Sequence, residues 1–533
     1  MMTKRDIAGL FMTHYSDRAW DDPQAERERV RREVSSLGVA GYCVFGGEIG
    51  RTGALNAAME EAAGGPLLVA SDLEQGLGQQ LLGGTVFPSQ MAVGATGSTG
   101  FAEEVGRAVA LEARSVGINV VFAPVADVAT EPSNPIIGVR AYGASPRATA
   151  ELVAAYVRGC QSAGVAATAK HFPGHGDTAV DSHIDLPVVT AERNVLDERE
   201  LVPFRAAIAA GVRVVMTGHI AFPALAGADV PATLAPSIGE TLLRGELGFQ
   251  GLVVTDALLM GAVAKRHGPG DAAVMALAAG ADLLLMPEDL GAAVDGVVAA
   301  VGSGAVSRER VERSLERIAL LKTWLAAARD DAASPGDANA RAGSGAAVLP
   351  AAGPAHDELA RDVALHAVTL VSNDGVVPIE PGAFASGSVL VAALVDPERP
   401  PDLEGLTSLL AARMPEATLR TLSGEAQASE LESLVSDARG VDAFVLLAFD
   451  QPAAWRGRKG PPASLASAAR RALAAAPRSV AVIFAGPELV PLFEGSGALL
   501  CCYDGSPHMQ RAALDVLLGD AQATGTLPAP IPG

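Results

Sequence analysis

The stretch AKHFPGHGDTAVDSHIDLP (169–187) sets His171, His175 and His183 beside Asp177, Asp181 and Asp185. Pro173, Gly174 and Gly176 make it a loop rather than a helix. Histidine and aspartate are metal ligands, but His171-x-x-x-His175 encloses Pro-Gly and is not the helical pair of zinc proteases. A structural reading, with side chains satisfying one another and the backbone, suits His175 and Asp177. Acid/base chemistry suits Asp181-Ser182-His183, where a carboxylate two residues from an imidazole orients the ring and favours its protonated form. Such a ring can protonate a leaving oxygen and later deprotonate an incoming nucleophile.

A second chemically capable stretch is GFQGLVVTDALLMGAV (248–263), in which Asp256 follows an apolar run and Thr255. A carboxylate at a strand end, aimed into a sugar-sized pocket, can attack an anomeric carbon. Equally, Thr255 or Asp256 can cap a helix over ALLMGAV. Spacing alone does not choose between these.

Elements able to hold such groups alternate along the first 327 residues. Strands are expected at 7–11, 41–46, 67–72, 119–124, 166–171, 214–219, 252–257 and 282–287, with amphipathic helical stretches such as 152–164 and 271–280 between some of them. Continuous apolar strands alternating with helices imply a parallel sheet buried on both faces. Eight such units make a (β/α)8 TIM-like barrel, and Asp72, Lys170–His171, His219 and Asp256 then fall at C-terminal strand ends, its catalytic rim. Residues 328–355, rich in Ala, Gly, Pro and Asp, are expected to be a linker. Further strands near 368–374, 388–396, 443–450, 479–486 and 498–506 predict a smaller three-layer α/β sandwich over 356–533.

Bulk properties narrow the function. With 533 residues, 49% hydrophobic and 19% charged, the chain can bury large cores and needs more than one. A net charge of −21 argues against a nucleic-acid binder, which would need a basic face, and against adhesion to an anionic membrane. No apolar run has the length of a membrane span. The N-terminal MMTKRDIAGLFMTHYSDRAWDD has no apolar h-region, so no secretory signal is expected. Cys43, Cys160, Cys501 and Cys502 lack metal-site spacing and read as buried reduced thiols, which fits a cytoplasmic location.

The segments KHFPGHGDTxxDSHxxLP and GLVVTDALxM together resemble glycoside hydrolase family 3, in its β-N-acetylglucosaminidase branch. The similarity extends through PLLVASDLEQG (66–76), TVFPSQMAVGAT (85–96), VVFAPVADV, NPIIGVRAYG (134–143), PATLAPSIGETLLRGELGFQGLVVTDAL (231–258), VALHAVTLVSNDGVVPI (363–379) and the closing GTLPAPIPG, nearly the whole chain. The resemblance implies that Asp256 is the nucleophile, His183 the acid/base on a mobile loop, and Asp181 its orienting partner. It implies that Asp72, Arg140, Lys170 and His171 bind the terminal sugar, with His219 and Met260 lining the pocket. Where the family reads D-x-E-G-G-R-V-x-R, this chain has Leu77 and Gln80 in place of the two arginines. Loss of two multi-donor cations is expected to change what that wall of the pocket touches, and with it the sugar preference.

The function so implied is retaining exo-β-N-acetylglucosaminidase activity on muropeptide or chitin-derived saccharides, without metal or cofactor. The alternative is phosphorolysis: a histidine that has given up its proton is neutral and repels inorganic phosphate less than a carboxylate would. Further alternatives are a β-glucosidase and a non-catalytic sugar-binding protein.

Overall fold

The computed structural model describes residues 2–18, 22–227, 229–332, 353–379, 388–397, 400–450 and 460–532. They pack as two compact units. The first comprises Met1–Val86, Thr99–Val128 and Thr149–Asp357; the second comprises Phe87–Ser98, Ala129–Ala148 and Glu358–Gly533.

In the first unit the expected apolar runs become parallel strands β1 (Phe11–Ser16), β2 (Gly41–Phe45), β3 (Leu68–Ser71), β4 (Val120–Val121), β5 (Ala166–Phe172), β6 (Val214–Thr217), β7 (Leu252–Thr255) and β8 (Leu284–Leu285). They neighbour one another in chain order, and β1 pairs with β8 through Phe11↔Leu284 and Met12↔Leu285. The last seam, β7 to β8, is joined by the Val254↔Leu283 bridge, which nearly closes the barrel. Asp282 staples that seam: its Oδ2 accepts from Val253 N at 3.0 Å and from Arg244 Nη2 at 2.5 Å. Its Oδ1 accepts from Ser314 Oγ at 2.9 Å and Arg317 Nη1 at 3.0 Å. Strand interiors are buried throughout β3, β5, β6 and β7, as strands covered on both faces must be.

The strand expected at 7–11 is displaced. Lys4–Ala8 forms one helical turn, because Thr3 and Asp6 make a reciprocal capping box, and β1 starts only at Phe11. Its sequence, FMTHYS, carries Thr, His and Ser among its apolar residues and so hides from a search for apolar runs. The helical stretches at 152–164 and 271–280 lie largely within helices Pro146–Ser162 and Pro269–Ala278. The expected linker falls mostly outside the described residues. Its first residues end the helix Arg308–Ala332, and Pro354 opens the helix Pro354–Ala367.

The second unit holds β9 (Thr369–Asn373), β10 (Val389–Leu394), β11 (Ala417–Leu422), β12 (Ala443–Phe449), β13 (Ser479–Phe484) and β14 (Ala498–Cys501). Their order is β11-β10-β12-β13-β14-β9, parallel except for β9. Alternate residues of β10 enter two different cores: Val389, Val391 and Ala393 one, Leu390, Ala392 and Leu394 the other. That is the period-two signature of a sheet covered on both faces, hence three layers. β11, an edge strand with mostly part-exposed side chains, has no apolar run and was not expected from the sequence. Two segments expected within the barrel, Phe87–Ser98 and Ala129–Ala148, belong instead to this unit, where Met91, Ala92, Ala95 and Val139 join its core. Gly94 permits that packing, since a Cβ there would lie 1.8 Å from Tyr142 O.

All four cysteines are buried and free. No helix among the described residues is long and apolar enough to cross a membrane.

Candidate active site

The C-terminal ends of β3 to β7 carry the polar residues singled out above. Asp72 follows β3, and Lys170 lies within β5. The Lys170 ammonium, only 2% exposed, sits 2.6 Å from Asp72 Oδ1 and 2.7 Å from Glu74 Oε1. A buried lysine persists only with such compensation. Glu74 is itself buried, whereas Asp72 keeps 31% of its side chain exposed and can offer oxygen to a ligand.

The neighbouring His171 is held by Asp127, which lies beyond β4 and is fully buried. Asp127 Oδ2 is 2.8 Å from His171 Nδ1, and its Oδ1 accepts from the backbone N–H of His171 at 3.1 Å and of His175 at 2.6 Å. One carboxylate therefore orients a rim imidazole and folds the loop that follows. His175 continues the chain of bonds: Nδ1 lies 2.8 Å from Thr178 Oγ1 and Nε2 lies 3.0 Å from Ser182 Oγ. Asp177 pairs with Arg199. Gly176 passes so close to Val128 that a Cβ would lie 1.8 Å from its carbonyl oxygen. His175 and Asp177 thus build the loop.

That loop presents Asp181 and His183. Asp181 is buried; its Oδ1 accepts from His183 N at 2.9 Å and lies 2.8 Å from His183 Nδ1. The turn predicted from their spacing forms, leaving Nε2 of a ring that is 25% exposed as the nitrogen away from Asp181.

Asp256 follows β7 and is half-buried. Its N–H donates to Thr217 O at 2.9 Å, and its Oδ1 accepts from Ala257 N at 2.8 Å. The helix-capping alternative fails, because the next helix is Gly261–Ala264 and its N-cap is Met260. Burial alone would raise the Asp256 carboxyl. The imidazoles of His219, His171 and His183, with the Ala257 N–H, outweigh burial and hold it below the ordinary aspartate range. The segment beyond Asp256 bonds the loop of His183, with Gly261 N donating to His183 O at 3.2 Å.

His219 occupies a different place from the other histidines. It is fully buried, with Nδ1 3.0 Å from Thr233 Oγ1 and Nε2 3.0 Å from Ala257 O. Burial pushes its imidazole below the ordinary histidine range, against the pull of Asp256. A neutral ring donates from Nε2 to Ala257 O, bracing the residue after Asp256. Both nitrogens are engaged within the protein, so His219 supports the site from behind. Met260 is also buried. Arg140 belongs to the second unit, where it ends a 3-10 turn; its Nη1 donates to Ile136 O at 2.9 Å and its carbonyl accepts from the Gln90 side chain.

At the positions of the two missing arginines, Leu77 is fully buried. Gln80 spans Gly46 N and Asp72 O at 3.4 Å each. Neither position presents a cation. Sequence reasoning assigned no role to Asp127, Glu74, Ser182 or Thr233. Asp127 and Glu74 lie in the loops beyond β4 and β3, in VVFAPVADV and SDLEQG, past the strand ends where Asp72 was singled out. Among the described residues no group of three His, Cys, Asp or Glu side chains is placed to hold a metal ion.

Residues 12–321 match the profile described as the glycosyl hydrolase family 3 N terminal domain. The chain belongs to glycosyl hydrolase family 3. It is 36% identical over 362 residues to beta-hexosaminidase A of Pseudoalteromonas piscicida, covering 63% of this chain and 58% of that protein. It is 37% identical over 331 residues to a beta-N-acetylglucosaminidase/beta-glucosidase of Cellulomonas fimi, covering 60% of this chain and 57% of that one. The match thus spans less than two thirds of either relative. A solved family 3 beta-N-acetylglucosaminidase from Paenibacillus sp. str. FPU-7 superposes with a TM-score of 0.86 at 34% identity, over 100% of this chain and 99% of that one.

Proposed function

We propose that this family 3 chain is a retaining, exo-acting β-N-acetylglucosaminidase working through a covalent glycosyl-aspartate. One observation carries the reading: Asp256 follows β7, and the segment just beyond it bonds the loop of His183 through Gly261 N to His183 O at 3.2 Å, with His183 Nδ1 lying 2.8 Å from Asp181. A retaining glycosidase needs that pair of roles, an ionised nucleophile and a separate proton donor. The names of the relatives at 36%, 37% and 34% identity agree with the sugar class.

In the first step the Asp256 carboxylate attacks the anomeric carbon while His183 gives its Nε2 proton to the departing glycosidic oxygen. Asp181 keeps the ring oriented through Nδ1–H and stabilises the imidazolium. In the second step neutral His183 takes a proton from water, and the water oxygen displaces Asp256 from the sugar. Asp72 accepts from sugar hydroxyls, with Lys170 fixing its carboxylate, and His171 is a further hydroxyl partner. Substrates are muropeptide or chitin-derived saccharides. Four buried free thiols suit a reducing compartment, so we assign the enzyme to cytoplasmic recycling of such fragments.

The test is incubation with an aryl N-acetyl-β-glucosaminide, with and without inorganic phosphate, identifying the sugar product by mass and NMR. Free N-acetylglucosamine, lost in Asp256→Ala and reduced in His183→Ala, supports the proposal. A sugar 1-phosphate formed in preference would make the enzyme a phosphorylase. Preference for the matching glucoside would make it a β-glucosidase. Binding without turnover of either glycoside would overturn the catalytic reading.

A further inference from the structure

The loop that carries Asp181 and His183 is tied to the segment that carries Asp256. Beyond Asp256 the chain enters the short helix Gly261–Ala264, whose first N–H groups have no acceptor inside the helix. Gly261 N donates to His183 O at 3.2 Å, and Ala262 N donates to Ser182 O at 3.3 Å. Just past the helix, Lys265 Nζ donates to Ile184 O at 2.8 Å and Arg266 Nη2 pairs with Asp185 Oδ1 at 2.7 Å. Four consecutive loop residues, Ser182 to Asp185, are each held by this one segment.

The approach is close enough to dictate a residue type. A Cβ on Gly261 would lie 2.6 Å from His183 O and 2.8 Å from Ile184 O. Gly261 is not among the glycines with a left-handed φ, so it is the contact that demands glycine. The His175–Ser182 bond also holds the loop, from the β5 side.

We infer that Gly261, Lys265 and Arg266 are positioning residues that dock the acid/base loop onto the segment following the nucleophile, setting the reach of His183 toward the leaving oxygen. The inference rests on the assignment of His183 as the acid/base. Gly261 supplies the fit. Lys265 and Arg266 hold the carbonyl of Ile184 and the carboxylate of Asp185, the two residues that follow His183. Displacing the loop by a few tenths of an ångström leaves Asp256 and the hydroxyl partners in place and weakens proton delivery alone.

The discriminating readout is leaving-group dependence of kcat/KM, which reports the first, bond-breaking step. A dinitrophenyl leaving group departs without a proton; an alkyl one requires it. Gly261→Ala, and separately the double variant Lys265→Met/Arg266→Gln, would be assayed on 2,4-dinitrophenyl and alkyl N-acetyl-β-glucosaminides beside His183→Ala. For Gly261→Ala the expected loss is about 10- to 100-fold on the alkyl substrate and within about twofold on the dinitrophenyl one. The double variant should show the same pattern at smaller size. A uniform loss on both substrates, or none, while His183→Ala keeps the leaving-group split, overturns the docking role. If His183→Ala itself shows no split, the acid/base assignment fails instead. Thermal melts establish that each variant is folded; if Gly261→Ala is not, the double variant decides.

Discussion

Asp127 offers the sharpest test of how the site is built. Its carboxylate accepts from three donors: the His171 and His175 amides and the His171 ring. Replacement by alanine leaves two buried backbone N–H groups and a ring N–H without that acceptor. At about 1–3 kcal/mol for each orphaned buried donor, the loss is about 3–9 kcal/mol. That approaches the whole stability of a typical domain, about 5–15 kcal/mol. Asparagine behaves differently. Its carbonyl oxygen can keep both backbone N–H groups, and its amide then faces His171 Nδ1, exchanging an acceptor for a donor. The charge-assisted bond is lost, about 1.5–3 kcal/mol, and part returns if the ring adopts its other tautomer. That tautomer carries its hydrogen on Nε2, so the rim nitrogen changes from acceptor to donor. Urea unfolding of the wild type and both variants in one buffer gives the stabilities, and steady-state kinetics gives kcat/KM. The expected result is a large loss of stability for alanine. For asparagine it is a modest loss, with a kcat/KM defect that the stability change does not explain. If the alanine variant fell within about 1 kcal/mol of the asparagine variant, the claim that this carboxylate folds the loop would be refuted.

Other consequences follow from the same geometry. Lys170→Met strands the Asp72 and Glu74 carboxylates beside each other and should cost about 3–5 kcal/mol in denaturant unfolding; adding Glu74→Gln should recover part of it, and strict additivity would deny the pairing. Because the folded-state pKa of His219 is depressed, its contribution to stability is full above the unfolded value of 6.5 and lost as pH falls toward the folded value. The stability gap between wild type and His219→Gln should therefore shrink between about pH 7.5 and 5.5, by at most about 1.4 kcal/mol per pH unit; a constant gap would contradict a neutral buried ring. The lowered pKa of Asp256 places any limb of the kcat/KM profile that reports its protonation below the ordinary aspartate range; an acidic limb near pH 6 abolished by Asp256→Glu would reassign it. Asp282→Ala leaves Arg244, Arg310 and Arg317 without their shared carboxylate at the β7–β8 seam, and should cost about 3–5 kcal/mol while sparing the KM of whatever enzyme remains folded.

Much of this site can be read from neighbours in the chain. Asp181 and His183 are two residues apart, and a short turn is all that their pairing requires. Lys170, His171, His219 and Asp256 end apolar runs, and in a parallel barrel every such end faces the same rim. Local patterning therefore determined the architecture, both sheets, and which groups could meet. It failed where structure is not announced by a local apolar pattern. β1 is interrupted by polar residues, β11 is a part-exposed edge, and Phe87–Ser98 and Ala129–Ala148 took their partners from the second unit. Only the tertiary fold decided what each chemical group does. Asp127 reaches His171 across 44 residues of sequence, Thr233 and Ala257 O engage both nitrogens of His219, and Gly261 meets His183 from the far side of β6 and β7. The physical reason is that residue type and spacing set which hydrogen bonds and charges a side chain can offer, whereas burial and partners from distant strands set which of them remain available for chemistry.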